Sequence, residues 1–215
     1  MSGAHATGLP TARALAALAR RDPALGRALR RVPAFPGFPM AGGPRSHYEA
    51  LAHAICFQQL ATRAAQTIWG RACALTPGRG FPRAEELLEL DDARLRGAGL
   101  SGNKVLALRD LARRSLDGSL RLRGLHRLPD EEVVARLVEV RGIGPWSAQM
   151  FLLFRLGRLD VMAPGDLGLQ EGLRRLDGLC ERPGPRELEA RAEAWRPLRS
   201  VACWVLWRIL DEGAA

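Results

Sequence analysis

Residues 130–156 constrain the fold more than any other stretch of the chain. A helical pattern over 131–140, Glu-Glu-Val-Val-Ala-Arg-Leu-Val-Glu-Val, runs into Arg141-Gly142-Ile143-Gly144, and a second helical run opens at Pro145. Two glycines let the backbone reverse tightly, and a proline in the first turn of a helix lacks only an N–H that would have no partner there. The segment therefore predicts a helix, a glycine hairpin and a second helix. Amides at the start of that second helix can receive a phosphate without reading base sequence. Ordinary helical hairpins also need glycine at the turn, so the motif alone leaves function open.

The remaining sequence reads as helical nearly throughout, with Gly and Pro punctuation and no run of alternating β-branched residues. This predicts an all-α fold. Ser46 and Glu49 fit a capping box ahead of Tyr48, Leu51, Ala52 and Ile55, whose spacing gives one apolar helical face. A second face follows at Ala64, Ala65, Ile68 and Ala72, so Gln58-Gln59 falls at a break between two helices. Further helices are expected at 11–30, 84–90, 103–116, 145–156, 167–176 and 186–212, the last interrupted near Pro197. Residues 31–45, rich in Pro and Gly, link the first helix to the rest.

Composition excludes several classes. With 47% hydrophobic residues the chain can bury a core, yet no apolar run approaches the ~20 residues that span a bilayer. Residues 1–9 lack a basic stretch followed by an apolar core, so no secretory signal is expected and the protein is placed in the cytoplasm. Cys56, Cys73, Cys180 and Cys203 show no C-x-x-C spacing and read as core residues, which predicts neither zinc nor an iron–sulfur cluster. The net charge of +9 favours a polyanionic partner. All basic residues except Lys104 are arginine, a bias that a GC-rich genome also produces, so arginine content is no DNA signature in itself.

Downstream of the hairpin stands Asp160-Val-Met-Ala-Pro164-Gly165-Asp166-Leu-Gly-Leu-Gln170, followed by Trp195-Arg-Pro-Leu-Arg199-Ser200. Read alone, Asp166 is a helix N-cap, a common position for Asp. The order of hairpin, Pro-Gly-Asp-Leu-Gly-Leu and Trp-Arg-Pro-Leu-Arg-Ser closely resembles the alkylation-repair branch of the helix-hairpin-helix DNA glycosylases, the 3-methyladenine DNA glycosylase II family. Upstream, Glu49 through Leu60 resembles that family's helix and wedge loop, and Gly99-Leu100-Ser101 with Lys104 and Leu108 resembles its next block. The resemblance covers roughly residues 20–212.

What the resemblance implies is a two-lobed helical bundle with the active site in the interlobe cleft and the hairpin beside it. The chain would be a single domain, 1–215, made of two helical subdomains and lacking the N-terminal β-domain of some members. Its activity would be monofunctional: extrusion of alkylated purines such as 3-methyladenine or 7-methylguanine from duplex DNA, then hydrolysis of the N-glycosidic bond, with no cofactor required. Asp166 matches the catalytic aspartate. Trp146 and Trp207 match aromatic positions lining the base pocket, with Met150 an adaptable wall. Gln59 and Leu60 match the wedge, and Gly142, Ile143, Gly144 and Lys104 are expected on the DNA backbone. Main-chain carbonyls of Val138, Val140 and Ile143 would bind a monovalent cation, Na+ or K+. Relatives that also nick the strand carry a Schiff-base lysine where this chain has Trp146, so no lyase activity is expected. Here Arg141 stands where the family often has proline.

The expected partner is damaged duplex DNA, bound by a monomer, with no membrane involved. Arg196 and Arg199 read either as phosphate or Asp166 partners or as a solvated basic face. Three competing functions stay open at this level. One is a glycosylase for oxidised or deaminated purines, a second is a non-enzymatic DNA-binding hairpin module, and a third is a helical interaction protein.

Overall fold

The computed structural model describes residues 8–38, 44, 46–78 and 80–212. The N-terminal stretch 1–7 and parts of the Pro/Gly-rich link lie outside them. In chain order the helices are α1 Ala12–Arg21, α2 Pro23–Leu29, α3 His47–Phe57, α4 Thr62–Cys73, α5 Ala84–Glu89, α6 Asp92–Gly97, α7 Gly102–Asp117, α8 Asp130–Leu137, α9 Pro145–Met150, α10 Leu167–Asp177, α11 Pro185–Ala192 and α12 Arg199–Glu212. No β-strand forms among the described residues. No helix there is long and apolar enough to cross a membrane. The chain folds into two compact units, one made of 1–41 with 152–215 and the other of 42–151.

In the unit built from both chain ends, the expected helix 11–30 is two helices. Asp22 breaks it: its backbone is extended, its carboxylate accepts the Leu25 N–H at 3.0 Å, and Pro23 opens α2. The same buried carboxylate accepts the Trp195 indole N–H at 2.7 Å and pairs with Arg191 at 2.6 Å, while Arg191 reaches on to Asp177. Trp195 is wholly buried, so this polar knot ties α1–α2 to α11 inside the core. α10 and α12 pack closely because Gly172 lies against Leu206. A Cβ built at residue 172 would stand 2.5 Å from the Leu206 carbonyl oxygen. The expected helix 186–212 divides into α11, a 3-10 turn Glu193–Trp195, and α12.

In the unit 42–151, Ser46 caps α3 by accepting the Glu49 N–H at 3.0 Å. Leu51, Ala52, Ile55 and Cys56 of α3 pack in a core shared with Val105, Leu108, Leu111 and Ala112 of α7. Of the face expected on α4, Ala65 and Ala72 are buried but Ala64 is exposed; Trp69 turns inward instead and stacks on Phe81 at 4.9 Å. The helix expected over 131–140 ends at Leu137, and the Val140 N–H folds back to the Leu137 carbonyl to start the hairpin turn. α9 is likewise shorter than the expected 145–156 and continues as a π-helical turn, Phe151–Arg155. The cysteines divide: Cys56 and Cys203 are buried, Cys73 is partly so, and Cys180 is exposed, contrary to a uniform core assignment. Burial pushes the Cys56 and Cys203 thiols up to about 12, which removes both from thiolate chemistry.

Candidate active site

Asp166 lies at the N-cap of α10, placed there by a turn in which its N–H bonds the Ala163 carbonyl. One carboxylate oxygen, Oδ1, accepts two hydrogen bonds, from the Leu169 N–H at 2.8 Å and from the Trp207 indole N–H at 3.3 Å. A cap of this kind is compatible with a chemical role, because helix-terminal amides hold a carboxylate in one orientation. Buried Gln170 closes the loop from behind, its amide donating to the Pro164 carbonyl at 2.8 Å.

The supports of this loop come from one face of α12. Ser200 Oγ donates to the Arg158 carbonyl at 2.7 Å and accepts the Val161 N–H at 3.0 Å. One turn on, Cys203 Sγ lies 3.5 Å from the Val161 carbonyl, and a further turn brings Trp207 to Asp166. Positions 200, 203 and 207 thus follow the i, i+3, i+7 stripe of a helix along the segment that delivers the aspartate. Gly168 makes room for this contact: a Cβ there would stand 3.0 Å from Asp166 Oδ1 and 3.3 Å from the indole.

Phe154, which had no sequence signal, packs against Trp207. Its ring stacks on Trp207 at 5.6 Å with a 20° interplanar angle, packs edge-on to Phe38, and is 43% exposed. Trp204, in contrast, donates its indole N–H to the Pro33 carbonyl and lies under the Arg208 guanidinium, a packing role. Arg196 and Arg199 both bind Asp160. Arg199 holds the Asp160 carboxylate at 2.9 Å and its carbonyl at 2.7 Å, and Arg196 holds the carboxylate at 2.8 Å. Arg199 is largely covered and braces the approach to the aspartate loop, whereas Arg196 is exposed and keeps a solvated side.

The hairpin belongs to the other unit. Gly142 has φ +79, and a Cβ there would meet Ala107 of α7 at 3.2 Å, so glycine is required by the fold. The Arg141 N–H donates to Asp110 of α7 at 2.8 Å. Ile143 anchors the turn: its side chain is buried and its N–H bonds the Val140 carbonyl, so this amide is engaged inside the hairpin rather than presented outward. Gly144 is different. Its backbone is extended, it is exposed, and a Cβ would meet nothing within 4 Å. Trp146 follows on α9, 45% exposed, with Met150 one turn later and partly buried.

The carbonyls expected to hold a monovalent cation, those of Val138, Val140 and Ile143, fall at the end of α8 and in this turn. They are neutral oxygen donors, which fit Na+ or K+. Among the described residues no group of three or more His, Cys, Asp or Glu could hold a metal ion.

The break between α3 and α4 is a four-residue loop. Gln58 caps α3, and its side chain turns to the hairpin, with Nε2 2.9 Å from the Gly142 carbonyl and 3.2 Å from Ser147 Oγ. Gln59 has φ +56, and Gln59 and Leu60 are both exposed. Lys104, expected on DNA, places its ammonium 2.7 Å from the Cys56 carbonyl and so complements the C-terminal end of α3.

Residues 52–197 match the family described as HhH-GPD superfamily base excision DNA repair protein. The chain belongs to this superfamily. Among its HhH-GPD relatives, the DNA-3-methyladenine glycosylase 1 of Schizosaccharomyces pombe is 34% identical over 162 residues, covering 75% of this chain and 71% of the relative. The structure of the Schizosaccharomyces pombe 3-methyladenine DNA glycosylase in complex with abasic DNA superposes with a TM-score of 0.81 at 31% identity, covering 91% of this chain and 95% of that one. A DNA-3-methyladenine glycosidase from Bacillus halodurans gives 0.83 at 31% identity, over 96% and 93% of the two chains. The all-α HhH-GPD fold expected from the hairpin and the Pro-Gly-Asp segment is the fold observed.

Proposed function

We infer that this protein is a monofunctional DNA glycosylase that excises alkylated purines from duplex DNA. The observation that carries the reading is the Asp166 carboxylate, fixed at a helix N-terminus by the Leu169 amide and the Trp207 indole in a chain of this superfamily. A carboxylate so held stabilises positive charge developing on the deoxyribose as the C1′–N bond breaks, and orients or deprotonates the attacking water. The base leaves with the bonding electron pair, and water supplies the hydroxyl that closes C1′. A purine alkylated on a ring nitrogen is cationic and departs as a neutral molecule, so one carboxylate suffices.

The other residues take supporting roles in this reading. Trp207 walls the base pocket together with Phe154 stacked on it; Trp146 and Met150 offer an aromatic ring and an adaptable thioether beside the hairpin. Leu60 and Gln59 occupy the gap left by the extruded nucleotide. Gly142 and Gly144 bring the hairpin backbone to a phosphate, and a monovalent cation on the Val138, Val140 and Ile143 carbonyls would stiffen the turn. Trp146 cannot form a Schiff base, and the single lysine, Lys104, is directed to a helix end. The enzyme therefore hydrolyses without cutting the strand. Incubation with methylated duplex DNA, analysed by chromatography and by strand length, tests both parts. Free 3-methyladenine or 7-methylguanine should appear while the strand stays intact until alkali is added. DNA binding without base release would reduce the protein to a binding module, and preferential release of oxidised or deaminated purines would move it to another branch.

A further inference from the structure

The Gln58 contacts join two parts of the molecule that the glycosylase reading treats separately, the hairpin and the wedge loop. The Gln58 amide spans 84 residues of sequence to the Gly142 carbonyl, and its second acceptor, Ser147, is a buried hydroxyl on the helix that follows the hairpin. The Gly142–Ile143 peptide is thereby held at both ends, its carbonyl by Gln58 and its N–H by the Val140 carbonyl. On the loop side the next residue, Gln59, occupies the left-handed region at φ +56, the only non-glycine residue with positive φ among those described. A conformation of this kind persists only where its surroundings hold it. The holding points are the Gln58 bonds on one side and the start of α4 at Ala61 on the other. Between them Leu60 stands outward, 38% exposed.

We propose that Gln58 is a positioning residue that couples hairpin and wedge loop, so that gripping the DNA backbone and filling the vacated base stack occur as one event. The proposal rests on the glycosylase reading. Gln58 itself touches neither sugar nor base and acts through Gly142 and Leu60. A shift of the hairpin on contact with phosphate is transmitted to the loop by the amide, and the strained Gln59 backbone keeps the loop projecting toward the duplex.

Two variants separate the amide bonds from packing. Gln58→Met keeps chain length without a donor, and Gln58→Glu keeps shape but sets a carboxylate against the Gly142 carbonyl. Single-turnover base release would be measured for 7-methylguanine paired with cytosine and for the same lesion opposite an abasic site, where extrusion is already eased. Coupling predicts that release from the paired duplex falls by about 10-fold in both variants, while release from the unpaired lesion changes by no more than about 2-fold. Thermal melting should stay close to wild type in at least Gln58→Met. Equal slowing on both substrates, or an unchanged rate on the paired duplex, overturns the coupling. A wild-type protein that releases base from neither substrate would instead bring down the glycosylase reading itself.

Discussion

The Trp207 indole N–H donates to Asp166 Oδ1, the same oxygen that accepts the Leu169 amide. The ring that the sequence marks as a pocket wall is therefore also an orienting group for the carboxylate. Trp207→Phe keeps an aromatic face against Phe154 but removes the donor. We expect its single-turnover release of cationic lesions to fall by roughly 10-fold, the low end of the worth of one hydrogen bond to a charged group, because the bond is long at 3.3 Å. Trp207→Ala also removes the face that stacks on a cationic base, an interaction of about 0.5–2 kcal/mol. It should therefore narrow the preference for 7-methylguanine over neutral hypoxanthine, whereas Trp207→Phe should largely keep it. If Trp207→Ala also keeps the preference, the indole face does not contact the base.

The two hairpin glycines should respond differently. Gly142→Ala places a side chain in the left-handed region against Ala107 and should lower stability by about 1–2 kcal/mol, seen as a reduced melting temperature. Gly144→Val faces no obstacle within the protein, so its melting should stay near wild type while affinity drops for damaged and undamaged duplex alike. Titration of both variants with the two duplexes checks this. A loss at Gly144 confined to damaged DNA would put the turn in the base pocket.

Much of this site was legible in the sequence because it is built from short, strongly constrained segments. Gly142-Ile143-Gly144-Pro145 can hardly form anything but a turn into a helix, and Asp166 after Pro-Gly is a cap in almost any context. What escaped depends on contacts distant in sequence. Nothing in Gln58 announces that its amide reaches Gly142, and Phe154 looks like core until the π-helical turn rotates it against Trp207. Arg196 and Arg199 were ambiguous because Asp160, their partner, lies more than 30 residues upstream. α6 was missed since six residues with one buried leucine carry no measurable periodicity. The end of α8 was overrun because Val138 and Val140 continue the apolar pattern after the backbone has already turned.

Asp22 gives the fold a pH dependence with a definite sign. Burial alone would raise its pKa, but the Leu25 amide, the Trp195 indole and Arg191 together hold it below the ordinary aspartate value of 3.8. A carboxyl depressed on folding contributes stability that is complete above its unfolded pKa and is lost as pH falls through the folded one. Stability of the wild type should therefore decline below about pH 4, and Asp22→Ala should be less stable by about 2–4 kcal/mol at neutral pH with a shallower acid slope. Urea unfolding of both proteins between acid and neutral pH reads this out. Parallel curves would mean that the Trp195 and Arg191 contacts contribute little.

In the proposed reaction the Asp166 charge acts in the chemistry, beyond capping α10. The most direct measurement is single-turnover release of 7-methylguanine from methylated duplex by wild type and by Asp166→Asn, with lesion-DNA affinity and melting temperature followed in parallel. Asparagine still caps a helix, so folding and binding should be retained while the rate falls by at least ~10²-fold. A variant that releases base at the wild-type rate would show that Asp166 is a helix cap and nothing more.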